Sequence, residues 1–179
     1  DSIVSCRFGD GVDTSMIAGV YTKVAPYIKQ CAFKGAFQTA AVQVGPGGAH
    51  PTIYSCGFLG MGQGRRGLFA DLYSRPSVRC SDFTNYIKRD VYCYKSPAIL
   101  GKAIDSLQRG NNRLMKPIDN DTIIEAVISP VWSEVNYYFM HHPDSGNFKG
   151  PVDWYPYWGT DLYMFDEPGC GYGGGGIPP

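Results

Sequence analysis

Apolar and polar positions alternate only over short stretches of this chain, and these stretches predict strands. Residues 3–6 read as a short strand, followed by a turn at Gly9-Asp10-Gly11. Residues 19–24 read as a second, with Val20, Thr22 and Val24 on one face and Tyr21 and Lys23 on the other. Residues 39–44 suit a third, broken by Gly45-Pro46-Gly47-Gly48, and residues 52–59 suit a buried strand. Residues 122–128 are β-branched and end at Ser129-Pro130, which favours a strand. The helical period is clearest at 97–108. Ser96 can cap that helix, Pro97 suits its first turn, and Gly110 can end it. Ile99, Leu100, Ala103, Ile104 and Leu107 supply its apolar stripe. From Trp132 onward the chain is aromatic and irregular. The expectation is one mainly-β domain over residues 1–172, an antiparallel barrel or sandwich with at least one helix (97–108). A flexible Gly/Pro tail is expected at 173–179.

A longer period runs beneath these elements. Cys6, Cys31 and Cys56 are 25 residues apart, as are Pro26, Pro51 and Pro76, and Phe8, Phe33, Phe58 and Phe83. Stacked coils of a β-solenoid give such columns. Outside them the units share little, and the pattern stops near residue 100, so the antiparallel reading is preferred.

Composition narrows the function classes. The chain has 179 residues, 44% of them hydrophobic, and a formal net charge of zero. That is enough for one domain with a real core. It gives no electrostatic reason to expect nucleic acid as a partner. No apolar run approaches the roughly 20 residues that span a bilayer. Six cysteines without a C-x-x-C pair, among abundant Gly, Pro and Tyr, fit a secreted protein held by up to three disulfides. No cofactor is expected.

Ile3-Val4-Ser5 together with the decapeptide Gly19-Val20-Tyr21-Thr22-Lys23-Val24-Ala25-Pro26-Tyr27-Ile28 resembles the last strand pair and closing helix of trypsin-like serine proteases. The resemblance covers residues 3 to about 30. It implies a secreted serine peptidase acting on proteins or peptides, or a catalytically degenerate homologue of one. Asn120-Asp121-Thr122-Ile123-Ile124 is similar to the family's aspartate segment, and Pro143-Asp144-Ser145-Gly146-Asn147 to its serine segment. The resemblance then implies Ser145 as nucleophile, Asp121 as orienting acid and His50 as base. Pro143 stands where the motif's first glycine donates an N–H to the oxyanion, and proline has none to give. Loss of one such donor costs roughly 10²–10³ in turnover.

Three further constellations carry chemistry. Trp154, Tyr155, Tyr157 and Trp158 form a dense aromatic cluster suited to a non-catalytic module that binds carbohydrate or protein. Gly62-Gln63-Gly64-Arg65-Arg66-Gly67 fits G-x-G-x-x-G between a plausible strand and a plausible short helix (65–73). Asp82 stands where a ribose-binding acid would, so a nucleotide-binding domain is a further alternative. His141 and His142 with Asp144 offer a partial metal set that lacks further ligands, and no metal site is expected.

Overall fold

Stacking the 25-residue units is how this chain buries its short apolar triplets. The computed structural model describes residues 1–11, 16–61, 64–84, 86, 89–95, 112–114, 124–127, 133–134, 137–139, 148–149 and 152–153. The first four coils each lay one strand into each of three parallel sheets, and later described strands extend the second and third sheets. The first sheet contains β1 (Ser2–Val4), β4 (Tyr27–Lys29), β7 (Thr52–Tyr54) and β10 (Ser77–Arg79), in that order. The second runs from β2 (Arg7–Gly11) through β5 (Ala32–Gly35), β8 (Gly57–Leu59), β11 (Asp82–Thr84) and β13 (Asn112–Leu114) to β16 (Tyr137–Phe139). The third runs from β3 (Ala18–Thr22) through β6 (Ala40–Val44), β9 (Arg66–Ala70), β12 (Arg89–Tyr94) and β14 (Ile124–Val127) to β17 (Phe148–Lys149). A separate parallel pair joins β15 (Ser133–Glu134) to β18 (Val152–Asp153).

All pairings among the described residues are parallel, so they form a β-solenoid and the expected antiparallel barrel or sandwich is corrected. The physical reason lies in the columns. Parallel in-register stacking puts Ile3, Ile28, Ile53 and Val78 above one another, and likewise Phe8, Phe33, Phe58 and Phe83. The phenylalanine rings stack at centroid separations of 4.8, 5.0 and 4.4 Å with interplanar angles of 7°, 11° and 2°. Those separations match the strand repeat of about 4.8 Å, so rings and backbone share one rise. The third sheet adds Val20, Val42, Leu68 and Val91 to the same buried core.

A left-handed corner closes each coil between its first and second strands. Ser5, Gln30, Ser55 and Cys80 all have φ between 52° and 54°. The reversal at Ser55 splits the expected strand 52–59 into β7 and β8, which belong to different sheets. The expected turn at residues 9–11 lies instead inside β2, where Gly9 has φ +76° and the register with β5 shifts. Val24 is 59% exposed rather than buried, because β3 ends at Thr22 and the Thr22 hydroxyl accepts from the Val24 N–H. The segment that resembles a protease strand pair and closing helix contributes to β3 and β4. The described residues contain no helix. The expected helix 97–108 and the 173–179 tail lie outside them.

Among the described cysteines, Cys6, Cys31, Cys56 and Cys93 form no disulfide and Cys80 does, so at most one of the up to three expected disulfides remains. Burial of the stacked columns, rather than a disulfide framework, holds the core together.

Gly64 and Gly67 were candidates for a phosphate loop, with a helix beginning at residue 65. Residues 66–70 instead form the strand β9. A β-carbon on Gly64 would lie 2.9 Å from the Gly35 carbonyl oxygen, and one on Gly67 would lie 2.5 Å from a Phe83 ring carbon. Both glycines thus serve close packing. Gly67→Ala is expected to cost about 1–3 kcal/mol through overpacking, read as a lower urea midpoint.

Candidate ligand-binding face

The third sheet alternates irregularly, and that irregularity builds its outer surface. In β9, Gly67 and Leu68 are both buried, between the half-buried Arg66 and Phe69. In β12, Asp90 and Val91 are both buried, between Arg89 and Tyr92. A strict two-residue period would put arginine and aromatic on opposite faces. The doubled buried step returns them to the same one. Register then sets Arg89 beside Arg66 and Tyr92 beside Phe69.

The four side chains form one cluster. The Arg66 guanidinium lies 4.7 Å from the Tyr92 ring centroid and 5.6 Å from that of Phe69. Arg89 lies 5.8 Å from the Tyr92 centroid, and the two rings are 5.3 Å apart, tilted by 49°. One Arg66 terminal nitrogen donates to the Thr39 carbonyl at 3.3 Å, while its buried Nε has no hydrogen-bond partner. Burial, followed by the charge of Arg89, lowers the Arg66 pKa. Both causes penalise the positive charge, and an anion bound between the guanidiniums would relieve the repulsion.

The outward column extends along the sheet. Tyr21, Gln43, Phe69 and Tyr92 occupy successive register positions, and the next position is Glu125. Tyr21 is 53% exposed, with Lys23 over its ring at 5.9 Å. Lys95 similarly lies 5.6 Å from the Tyr94 centroid. Cations and rings are thus paired at several levels of the stack.

Behind this face, Asp90 is fully buried. Neither of its carboxylate oxygens has a hydrogen-bond partner, and burial pushes its pKa well above the ordinary value. Tyr86 is 1% exposed with an unpartnered hydroxyl, and its pKa is also raised, by burial and then by Asp90.

His50, expected as a catalytic base, is exposed in the connection between β6 and β7. Asp121, Ser145, Trp154, Tyr155, Tyr157 and Trp158 lie outside the described residues, as do His141, His142 and Asp144. Among the described residues no group of three His, Cys, Asp or Glu side chains is placed to hold a metal ion. The described residues contain no helix long and apolar enough to cross a membrane.

Sequence reasoning missed the Arg66 cluster, although a signal was there. Arg66-Gly67-Leu68-Phe69-Ala70 and Arg89-Asp90-Val91-Tyr92-Cys93 share one local pattern: arginine, a buried pair, an aromatic, a small residue. The two copies are 23 residues apart, off the 25-residue period of the other columns. No protein-family model, curated protein or solved structure matches the chain.

Proposed function

We propose that the chain is a binding module that receives an extended acidic carbohydrate on the outer face of its third sheet. The observation that carries this reading is the Arg66–Phe69–Arg89–Tyr92 cluster. Aromatic faces stack on the C–H faces of sugar rings, and guanidiniums donate to a carboxylate in bidentate fashion. The half-buried Arg66 and Arg89 supply the positive charge. The coil repeat sets these groups on a rigid scaffold, so little conformational entropy opposes binding. The proposed surface is the cluster on the third sheet; residues 154–158 lie outside the described residues.

Titration calorimetry with an oligogalacturonate, and with a neutral glucose oligomer of equal length, tests the proposal. The acidic oligomer alone is expected to bind, more weakly as salt rises. Arg66→Ala and Tyr92→Ala should each weaken it by about 10- to 100-fold, with melting temperature confirming that each variant is folded. Equal binding of the neutral oligomer, or indifference to both substitutions in folded protein, overturns the reading.

A further inference from the structure

Each left-handed corner is followed by a residue of one column: Cys6, Cys31, Cys56 and then Ser81. The backbone is in register on both sides of the thiols. The Ser5 N–H donates to the Lys29 carbonyl and the Gln30 N–H to that of Tyr54. On the other side, the Ala32 N–H donates to the Cys6 carbonyl and the Gly57 N–H to that of Cys31. The cysteines are therefore stacked at the strand repeat of about 4.8 Å. A disulfide needs Cα atoms roughly 4.4–6.8 Å apart, so neighbouring pairs meet that requirement.

Each inner thiol lies between two carbonyls, one of its own coil and one of the preceding coil: Cys31 Sγ is 3.3 Å from the Lys29 oxygen and 3.5 Å from that of Ile3, and Cys56 Sγ is 3.4 Å from the Tyr54 oxygen and 3.6 Å from that of Ile28. At the far end the Cys56 N–H donates to the Ser81 hydroxyl at 3.2 Å, so a group that cannot oxidise closes the row. Cys31 and Cys56 are 2% and 3% exposed, whereas Cys6 is half-buried on the outermost described coil.

We propose that Cys6, Cys31 and Cys56 form a thiol–disulfide site that reacts with small disulfides at Cys6 and holds one bridge, made by Cys31 with either neighbour. The Cys6 thiolate attacks one sulfur of a small disulfide RSSR. The S–S bond of RSSR breaks, a mixed disulfide forms, and RS⁻ leaves and takes a proton. The Cys31 thiolate then attacks the Cys6 sulfur, forming the Cys6–Cys31 bond and expelling the second RS⁻. Two protein thiols are oxidised and RSSR is reduced to two RSH. Attack of the Cys56 thiolate on Cys31 moves the bridge one coil inward and releases Cys6, with no net redox change. The Cys56 thiol beside Cys31 lowers the Cys31 pKa, while Cys31 and burial raise that of Cys56. Cys31 thus supplies the thiolate that closes the bridge to Cys6, and the raised Cys56 pKa makes the inward transfer the slower step.

Trypsin separates the three thiols, because cleavage after Arg7, Lys29, Lys34 and Arg65 leaves them in peptides 1–7, 30–34 and 35–65. The reduced full chain is incubated with oxidised glutathione, alkylated and digested without reductant. The expected linked products are 1–7 with 30–34, and 30–34 with 35–65. Cys31→Ser should abolish both and leave Cys6 as a mixed disulfide with glutathione. Cys6→Ser should slow the remaining bridge by about tenfold or more, since the exposed point of attack is gone. Linkage of 1–7 to 35–65 would overturn the proposal. So would three unlinked cysteines in the wild-type chain at oxidant levels that glutathionylate Cys6. The wild-type map decides even if a variant fails to fold.

Discussion

Replacing Phe58 with alanine is expected to remove about 3–5 kcal/mol of stability, the usual cost of emptying a large buried aromatic site. Phe58 is 1% exposed and sits between Phe33 and Phe83, so its loss breaks two stacked contacts at once. Each such contact contributes about 0.5–1.5 kcal/mol beyond burial. A solenoid is stabilised chiefly between neighbouring coils, and Phe58 lies in the middle of the column. Against a typical total of 5–15 kcal/mol, the substitution leaves a marginal fold. Phe8→Ala should cost less, because Phe8 stacks on one side only and is partly exposed. Urea unfolding of the two variants checks the order. A cost below about 1 kcal/mol for Phe58→Ala would mean that the column does not hold the coils together.

The second large effect concerns Asp90. Its folded pKa is raised well above the ordinary 3.8 by burial. The unfolded chain therefore loses this proton at lower pH than the folded chain does. The folded state has its full advantage from Asp90 only below the ordinary value. As pH rises from there toward the raised value, stability falls by about 1.4 kcal/mol per pH unit. Tyr86 has a raised pKa too, so it adds a similar loss only above its ordinary 10.0. Asp90→Asn should flatten the acid-to-neutral part of the profile. Asp90→Ala should raise stability further, since it also removes an unpartnered buried polar group that costs about 1–3 kcal/mol. Alanine suits the place: the corresponding residues of the preceding coils are Gly19, Ala41 and Gly67. Thermal melts from pH 4 to 9 give the comparison. Parallel profiles for wild type and Asp90→Asn would show that the carboxyl is not the cause.

Asp90 also shows why the fold was only half legible. The columns that define the solenoid stand in the sequence at an unbroken 25-residue spacing: the cysteines, the prolines and the phenylalanines. What alternation does not carry is strand direction. Three-residue strands such as Thr52–Tyr54 have one buried side chain, too few to distinguish parallel from antiparallel partners. The corner residues Ser5, Gln30, Ser55 and Cys80 gave no turn signal, because none is glycine, asparagine or aspartate. The third sheet hid its own repeat. Val20, Val42, Leu68, Val91 and Ile124 are successive register partners separated by 22, 26, 23 and 33 residues. Varying connections absorb those differences, and they moved Arg66 and Arg89 off the common period. The strand expected at 122–128 was legible from its β-branched residues, and its core is β14. The protease-like string predicted a closing helix, but parallel stacking places Tyr27 and Ile28 beside Thr52 and Ile53.

Both the arginine–aromatic face and the thiol column depend on parallel, in-register coils, and nuclear Overhauser contacts in the labelled full chain test that most directly. The account predicts ring-to-ring contacts from Phe33 to Phe58 and from Phe58 to Phe83, with amide-to-α-proton contacts joining the Ile28 and Ile53 strands. Close α-proton pairs between those strands, with no contact between Phe33 and Phe58, would signify antiparallel pairing and contradict it.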